Sequence, residues 1–520
     1  MISLQNACLL AGPLIAFLCN SCAAASGDEV TISDSGETSN SPANFPGDGA
    51  LDTNSEPVFD FPEEVAVVES FQSPVVSGDF LWSTNPQSGR VVLIDASTLA
   101  TRVLDGGLTP THLAAIPVSE YDAAAIVLNV GSTDATLFRV SGPGVASQRI
   151  SLHEGADRWT VSHTGEWAVA WSRGAAALDP TNGLQEITII DLRGETAVPR
   201  RVTVGYRPSL LSFNADETEL SVVSKRGISI LELENHNLRW VELSQGEQRQ
   251  VLLVEDGKHA LVRMKDAKEI QIVDLQGEEE PLVLGFPGAI TDWELSAEGR
   301  AVVVVRDLSY VSTFLVNEVF QSSEEIHDVV VGGELVGSVE LSESGGAAVL
   351  FTNALSSTRV SLLNLEPGEN FLSYRVLDTQ TLVQSVKMSP DGQYAVALGR
   401  PTEGASAGVF SLLSLGDERF SRVIGTRAPL GDLHLGNRFG LQTASAVGGV
   451  HEAHLIDLLE LKVETVELAS PVLSSGLFPS LDVGFAAQVH PEGRVSLFDF
   501  TQVSTQTLTG FELSAEIVEE

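Results

Sequence analysis

The sequence has very little cysteine. Cys8, Cys19 and Cys22 are its three cysteines, and all lie within the first 22 of 520 residues. No disulfide framework can form in the rest of the chain, and thiol catalysis is excluded there. Cys19 and Cys22 have the CxxC spacing, but a redox motif of this kind belongs to a folded βαβ unit, and this segment shows no such pattern.

Basic residues are also scarce. The chain has 30 Lys and Arg against 70 Asp and Glu, a formal net charge of −40, and its first basic side chain is Arg90. A field of that sign repels phosphates and anionic lipid headgroups, so we expect no nucleic-acid partner. Hydrophobic residues make up 43% of the chain, enough for most of it to bury a core.

Motifs for nucleophilic catalysis and nucleotide binding are missing. The sequence contains no G-x-S-x-G, no G-x-x-x-x-G-K-[ST], and no G-x-G-x-x-G after a strand. We therefore assign no catalytic residue and expect no cofactor.

Two kinds of polar cluster contain metal-binding residue types but lack the spacing that a metal site needs. His451–His454 reads HEAH, but its histidines are three apart on a predicted strand, where they point to opposite faces, so we expect solvent-facing residues. The acidic runs Gly277–Glu280 and Ser322–Asp328 lack the D-x-D-x-D-G pattern of a Ca²⁺ loop. They are typical of solvated turns, and we assign no metal ligand.

The first 22 residues have the pattern of a signal peptide. An apolar run spans Cys8–Leu18 and is followed by small residues. Ser21-Cys22 resembles a bacterial lipobox, which predicts lipidation of Cys22; a cut after Ala25 and an uncleaved anchor are the alternatives. We expect an outer-membrane or cell-surface lipoprotein, or otherwise a periplasmic or secreted protein.

Residues 23–64 form an acidic linker. The segment has no basic residue and few large apolar ones, so it cannot bury enough surface to fold. Next to a lipid anchor, it is interpreted as a tether; a tail that only adds solubility is the alternative.

A repeat occupies residues 65–520. Each unit has an alternating strand, a turn with Asp, Glu or Gly, a second apolar strand, a third apolar strand that usually ends on Asp or Asn, and a weaker fourth strand. We count ten units. Asp95 and Asp499 lie 404 residues and nine intervals apart, which is about 45 residues per unit.

Two segments resemble a known repeat. Ser83–Asp95 reads STNPQSGRVVLID, and Met388–Leu398 reads MSPDGQYAVAL. Both resemble bacterial YVTN-type and TolB-like, WD40-like β-propellers. The resemblance implies an all-β fold, a β-propeller of four-stranded antiparallel blades. The repeat continues without a Pro- or Ser-rich break between units, which favours one large ring over two small rings in series or a smaller ring with outlying units. Some propellers of this type are lactonases or hold a metal or quinone in the channel, but no catalytic residue can be carried over.

Three features of the sequence allow more than one interpretation: the strands that close the ring, the role of the longer loops and the placement of the tryptophans. Val65–Phe71 is a candidate first strand, and Phe511–Glu520 a candidate extension of the last blade. The longer loops Ser172–Gln185 and Gly399–Val409 are either binding loops or neutral insertions. The tryptophans near blade starts are interpreted as inter-blade packing rather than a ligand surface: Trp159, Trp167, Trp171, Trp240 and Trp293.

The sequence therefore predicts an extracytoplasmic, lipid-anchored β-propeller. We expect it to act as a binding or scaffold module for a protein or a cell-envelope polymer, touching the membrane only through its anchor. The alternatives are a propeller-type hydrolase or lactonase with an active site at the channel mouth, and a structural component of a surface layer.

Overall fold

The computed structural model describes residues 72–117, 120–173, 184–244, 248–333, 335–400, 407–416, 421–446, 448–511 and 516–517. These belong to one compact unit, Val68–Glu520. They form ten sheets, and in each sheet four consecutive strands pair antiparallel in sequence order. The fold is a ten-bladed β-propeller in a single ring, as the repeat count predicts.

The strands follow one another in chain order, four to a blade. Blades 1 to 3 contain β1 (Val75–Ser77), β2 (Phe80–Asn85), β3 (Arg90–Asp95), β4 (Thr101–Asp105); β5 (Pro110–Ile116), β6 (Ala123–Asn129), β7 (Asp134–Ser141), β8 (Gly144–Ser151); β9 (Arg158–Val161), β10 (Trp167–Trp171), β11 (Glu186–Asp191), β12 (Val198–Thr203). Blades 4 to 6 contain β13 (Leu210–Phe213), β14 (Glu219–Val223), β15 (Gly227–Glu232), β16 (Leu238–Glu242); β17 (Arg249–Leu253), β18 (His259–Met264), β19 (Glu269–Asp274), β20 (Leu282–Gly285); β21 (Asp292–Leu295), β22 (Arg300–Val305), β23 (Tyr310–Leu315), β24 (His327–Val330).

Blades 7 and 8 contain β25 (Ser338–Leu341), β26 (Ala347–Phe351), β27 (Arg359–Asn364), β28 (Tyr374–Asp378); β29 (Leu382–Met388), β30 (Tyr394–Arg400), β31 (Gly408–Ser414), β32 (Arg422–Thr426). Blades 9 and 10 contain β33 (Leu430–Leu435), β34 (Phe439–Ser445), β35 (His451–Asp457), β36 (Lys462–Glu467); β37 (Val472–Leu477), β38 (Val483–Gln488), β39 (Arg494–Asp499), β40 (Ser504–Thr509).

Burial differs systematically between the strands of a blade. The two middle strands are buried along nearly their whole length, as in Ala123–Asn129, where every residue is buried. The fourth strand alternates between partly buried and exposed residues, as in Leu238–Glu242. This follows from the continuous apolar runs of the middle strands, whose two faces both pack against a neighbouring blade. Glycines in the turns between the first and second strands of five blades have positive φ: Gly165, Gly257, Gly299, Gly345 and Gly392.

Ten hydrophobic clusters among the described residues hold the blades together, and each lies between two adjacent blades. One of them joins the last blade to the first: Phe478 and Phe485 of blade 10 pack with Leu81 and Ile94 of blade 1. At the same seam the Ser480 hydroxyl donates a hydrogen bond to Asp79 Oδ1, at 2.7 Å. The ring is therefore closed.

The first and the last described strands both belong to blade 1. The short C-terminal strand β41 (Glu516–Ile517) pairs parallel with β4, with Arg102 opposite Glu516. The expectation that the C-terminal segment extends the last blade is therefore wrong. The end of the chain crosses the seam and adds a fifth strand to the outer edge of the first blade. The candidate first strand Val65–Phe71 lies outside the described residues; β1 supplies that position instead.

Helix is scarce in the part of the chain that the structure describes. It consists of α1 (Val316–Gln321) and two 3₁₀ turns, Arg306–Leu308 and Ser323–Glu325. Among the described helices, none has the length and apolar character needed to cross a membrane.

We expect Phe478→Ala to lower the free energy of unfolding by about 3 kcal/mol, because the substitution opens a cavity in the seam cluster. Val489→Ala, at an exposed side chain of the same blade, is the matched control and is expected to change it by less than about 0.5 kcal/mol. Urea unfolding followed by tryptophan fluorescence measures both. Equal stabilities of the two variants would contradict a packed seam.

Candidate functional site

The first strand of each blade lies innermost, and three carboxylates on these strands link neighbouring blades. Asp292 and Glu294 of β21 accept backbone N–H groups of β25 in blade 7: Val339 N to Asp292 Oδ2 at 3.0 Å, and Leu341 N to Glu294 Oε2 at 2.5 Å. Glu340 of β25 accepts the Met388 N–H of blade 8, at 3.4 Å. An innermost strand has no further strand beside it, so these side chains satisfy donors on its free edge.

Burial makes these carboxyl groups weak acids. Desolvation, reinforced by the charge of Glu340, raises the pKa of Glu294 from 4.5 to about 9. Desolvation also raises the pKa of Glu340 to about 7, although the Met388 N–H and the Lys387 ammonium oppose the change. The pKa of Asp292 is raised for the same reason, against the hydrogen bond from Val339. This row of carboxyl groups brings three acidic side chains together on the innermost strands of two adjacent blades.

The HEAH segment is a strand, as expected, but its polar side chains are not solvent-facing. His451, Glu452 and His454 are all buried in β35. Arg427 Nε contacts Glu452 Oε1 at 2.5 Å, and His454 Nδ1 lies 3.0 Å from Thr465 Oγ1. Strand β35 is the third strand of its blade and packs on both faces, so its polar residues are buried with partners rather than exposed.

The acidic runs show no ligand geometry. Asp274 accepts the backbone N–H groups of Gln276, Glu278 and Glu279, which makes the first run a capped turn. No group of three or more metal-binding side chains occurs among the described residues. Cys22 lies outside the described residues, as do residues 174–183 and 401–406 of the two longer loops.

Four of the five tryptophans that the sequence singled out are at least partly buried. Trp167 and Trp171 belong to the cluster between blades 3 and 4, and Trp293 to the cluster between blades 5 and 6. Trp159 is partly buried against the cluster between blades 2 and 3. Trp240 is different, because 47% of its surface is exposed.

Trp240 forms one wall of an open groove between blades 3 and 4, with a volume of about 730 Å³. Tyr206, 40% exposed, lies in the same groove, and so does the exposed Leu238. Among the described residues, Tyr206 and Trp240 are the two large aromatic side chains classed as exposed. Of the ten inter-blade positions in the ring, the same one therefore holds both of these exposed aromatic side chains of the described residues. The other lining residues are Gln185, Thr203, Val204, Gly205, Lys225, Arg226 and Ser229.

Two glycines position the indole of Trp240. A Cβ atom at Gly205 would lie 2.7 Å from Trp240 Cζ3, and one at Gly227 would lie 2.6 Å from Trp240 Cζ2. Any side chain at either position would displace the ring. The six-membered ring therefore rests against bare backbone on its inner side and presents its remaining surface to solvent.

The groove carries positive charge in a strongly negative protein. Lys225 and Arg226, in the turn between β14 and β15, are exposed, and neither side chain has an ion pair within the described part of the chain. The residues that line the groove include no carboxylate. Next to them, Arg207 stacks on the Tyr206 ring, with its guanidinium carbon 5.5 Å from the ring centroid.

Sequence reasoning did not find this groove, although one signal was present. Eight of the 30 basic residues fall within residues 193–249: Arg193, Arg200, Arg201, Arg207, Lys225, Arg226, Arg239 and Arg249. Several of them serve structure, since Arg239 pairs with Glu219 and Arg249 binds backbone carbonyls. The sequence shows the high density of basic residues in this segment. It does not show which of these cations lack an ion pair and lie beside an exposed aromatic side chain.

The blades and their clusters define the class of protein, a ten-bladed β-propeller. No protein-family model matches the chain, and no curated protein matches it. Among solved structures it is similar to a eukaryotic initiation factor, at 10% identity and a TM-score of 0.48, over 73% of this chain and 93% of that one.

It is also similar to apo AztD from Citrobacter koseri, at 10% identity and a TM-score of 0.40, over 65% and 93% of the two chains. The β-propeller domain of Myceliophteria thermophila Cps50 (Swd1) gives 11% identity and a TM-score of 0.34, over 60% and 97%. The fold assignment follows from the blades of this chain. The similarity to these solved structures assigns no function to it.

The carboxyl row predicts a pH effect on stability. The folded-state pKa of Glu294 lies above its ordinary value of 4.5, so the native chain holds a proton that the unfolded chain releases, and stability falls as pH rises from about 4.5 to about 9. Glu294→Gln removes this loss. We expect the variant to exceed the wild type in unfolding free energy by roughly 2 kcal/mol at pH 9 and by little near pH 5.

Urea unfolding across this pH range measures the difference between variant and wild type. Glu269→Gln, at an exposed strand end, is the matched control and is expected to give a flat difference. A flat difference for Glu294→Gln as well would show that the buried carboxyl is not protonated in the native state.

Proposed function

We propose that this propeller is an extracytoplasmic binding module that holds a protein or cell-envelope ligand in the groove between blades 3 and 4. The observation that carries the proposal is the coincidence of Tyr206, Trp240, Lys225 and Arg226 in one groove. Exposed aromatic and cationic side chains in a concave site are the groups that most often supply binding energy at interfaces. The rigid ring holds them in place without a ligand, which lowers the cost of ordering on binding.

The proposed location follows from the N-terminal segment. Lipidation at Cys22 would anchor the chain to a membrane, and the acidic linker of residues 23–64 would separate the ring from it. The absence of cysteine from the rest of the chain is compatible with an oxidising compartment, because no thiol there can mispair.

A second candidate function is hydrolysis at the channel, favoured by the raised pKa values of Glu294 and Glu340. A carboxyl group that is protonated near neutral pH can act as a general acid. In this structure, however, both glutamates accept backbone N–H groups of the next blade, which accounts for their positions without a substrate. Hydrolysis of simple lactones or esters by the wild type, abolished in Glu294→Gln, would favour this second function.

The binding function predicts that groove variants release envelope material. We expect immobilised full-length chain, carrying Cys22→Ser to keep it soluble, to retain protein or carbohydrate from an envelope extract. Trp240→Ala is expected to reduce that retention about tenfold. Val330→Ala, at an exposed residue on the outer strand of blade 6, is the matched control and is expected to retain as much as the parent chain. Equal retention by all three proteins would overturn the proposal.

The anchor predicts a difference between two neighbouring cysteines. We expect the mature wild-type protein to begin at a lipidated Cys22 and to fractionate with membranes, because one acylated residue adds apolar surface to a soluble ring. Cys22→Ser is expected to release it, whereas Cys19→Ser is expected to leave it bound. Intact mass spectrometry and membrane fractionation measure both. A mature N-terminus at Ser26 in all three proteins would favour simple secretion.

A further inference from the structure

We propose that the groove between blades 3 and 4 binds an acidic polysaccharide, a chain of sugar rings that carry carboxylates. This inference rests on the proposed binding function and names the chemical class of its ligand. It depends on three features of the groove: a flat aromatic surface, two unpaired cations, and neutral polar groups between them.

The aromatic surface fits a sugar ring. The indole of Trp240 is fixed against Gly205 and Gly227 on one side and half exposed on the other. A rigid, flat, apolar face of this kind takes a ligand that is itself flat and apolar on one face and polar at its rim, because such a ligand buries its C–H surface while its hydroxyls stay hydrated. Tyr206, exposed in the same groove, offers a second such face and a phenolic hydroxyl.

The cations fit a carboxylate. Lys225 and Arg226 are adjacent on one turn, they lack ion pairs among the described residues, and no carboxylate lines the groove. Elsewhere the chain carries an excess of 40 negative charges, which repels anions over most of its surface. An anionic ligand is therefore directed to this groove, where the planar guanidinium of Arg226 can donate two parallel hydrogen bonds to a carboxylate.

Neutral polar side chains complete the lining. Gln185 and Thr203 are exposed in the groove and supply an amide and a hydroxyl, which suit the hydroxyl groups of a sugar. The volume of about 730 Å³ is that of a site for an organic ligand rather than a single ion. The open side of the groove allows a polymer to continue beyond the bound rings.

Other polyanions match fewer of these features. A nucleic acid would bring a dense row of phosphates against a protein of net charge −40, with Lys225, Arg226 and the neighbouring Arg207 to offset them. An acidic peptide would satisfy Lys225 and Arg226 but would leave the flat faces of Tyr206 and Trp240 without a matching surface. The observations therefore favour a carbohydrate, and the acidic peptide becomes an outcome of the test.

The test measures binding of soluble oligomers to the full-length Cys22→Ser chain by isothermal titration calorimetry at low salt. The probes are oligogalacturonate, oligomannuronate and hyaluronan oligomers, with neutral dextran oligomers and poly-glutamate for comparison. We expect at least one uronate oligomer to bind, with no heat from dextran and about tenfold weaker binding of poly-glutamate. Added salt is expected to weaken uronate binding, since part of the affinity is electrostatic.

Variants assign the binding to the groove. Trp240→Ala is expected to weaken uronate binding about tenfold, and Trp240→Phe is expected to restore part of it because a flat ring remains. The double reversal Lys225→Glu with Arg226→Glu is expected to abolish it. Lys265→Glu with Lys268→Glu, in the equivalent turn of blade 5, is the matched charge control and is expected to bind as the parent chain does.

Three results would overturn the inference. They are failure of every uronate oligomer to bind, binding of poly-glutamate as tight as that of the uronates, and uronate binding that Trp240→Ala leaves unchanged. The binding function would survive any of these if envelope protein were still retained by the parent chain and lost by the Trp240 variant. If the parent chain bound no uronate oligomer and retained no envelope protein, both proposals would be overturned.

Discussion

Burial of sheet faces between neighbouring blades is the constraint on which the rest of this structure depends. A four-stranded sheet with apolar side chains on both faces is not stable alone in water, and each of the ten clusters covers one face from each of two adjacent blades. An open array would leave two faces bare, so the cluster of Phe478 and Phe485 with Leu81 and Ile94 is what makes a ring the stable solution. The C-terminal strand β41 on β4 then places the last described strand in the same blade as the first.

Closure creates a second requirement at the centre of the ring. The innermost strands have free edges, and their backbone N–H groups need acceptors. In blades 6 and 7 the acceptors are the side chains of Asp292, Glu294 and Glu340, which bridge to the next blade. The raised pKa values of these carboxyl groups follow from the same burial. The hydrogen bonds between blades therefore explain why weakly acidic carboxyl groups lie in the channel wall, without requiring a catalytic role for them.

The groove between blades 3 and 4 departs from the pattern of the other inter-blade positions. Trp240 stands on the outer strand of blade 4 as one of the two large aromatic side chains exposed among the described residues, and it packs against Gly205 in the connection between blades 3 and 4 and against Gly227 of β15. Lys225 and Arg226 reverse the sign of charge locally. Neither feature stabilises the ring, because exposed apolar surface and unpaired charge contribute little to folding. They are the features on which the proposed binding function rests.

The sequence by itself predicted the repeat, four antiparallel strands in each unit, about ten units and one ring as the favoured arrangement, while the structure decided the blade number and the closure of the ring. The predicted features follow from local patterns: alternation, turn residues and apolar runs that recur about every 45 residues. Only the tertiary structure decided that Glu452 and His454 are buried, that the last strand pairs with blade 1, and that Tyr206, Trp240, Lys225 and Arg226 share one groove. Those outcomes depend on which side chains from different blades meet across an interface, and a repeat pattern carries no information about such contacts.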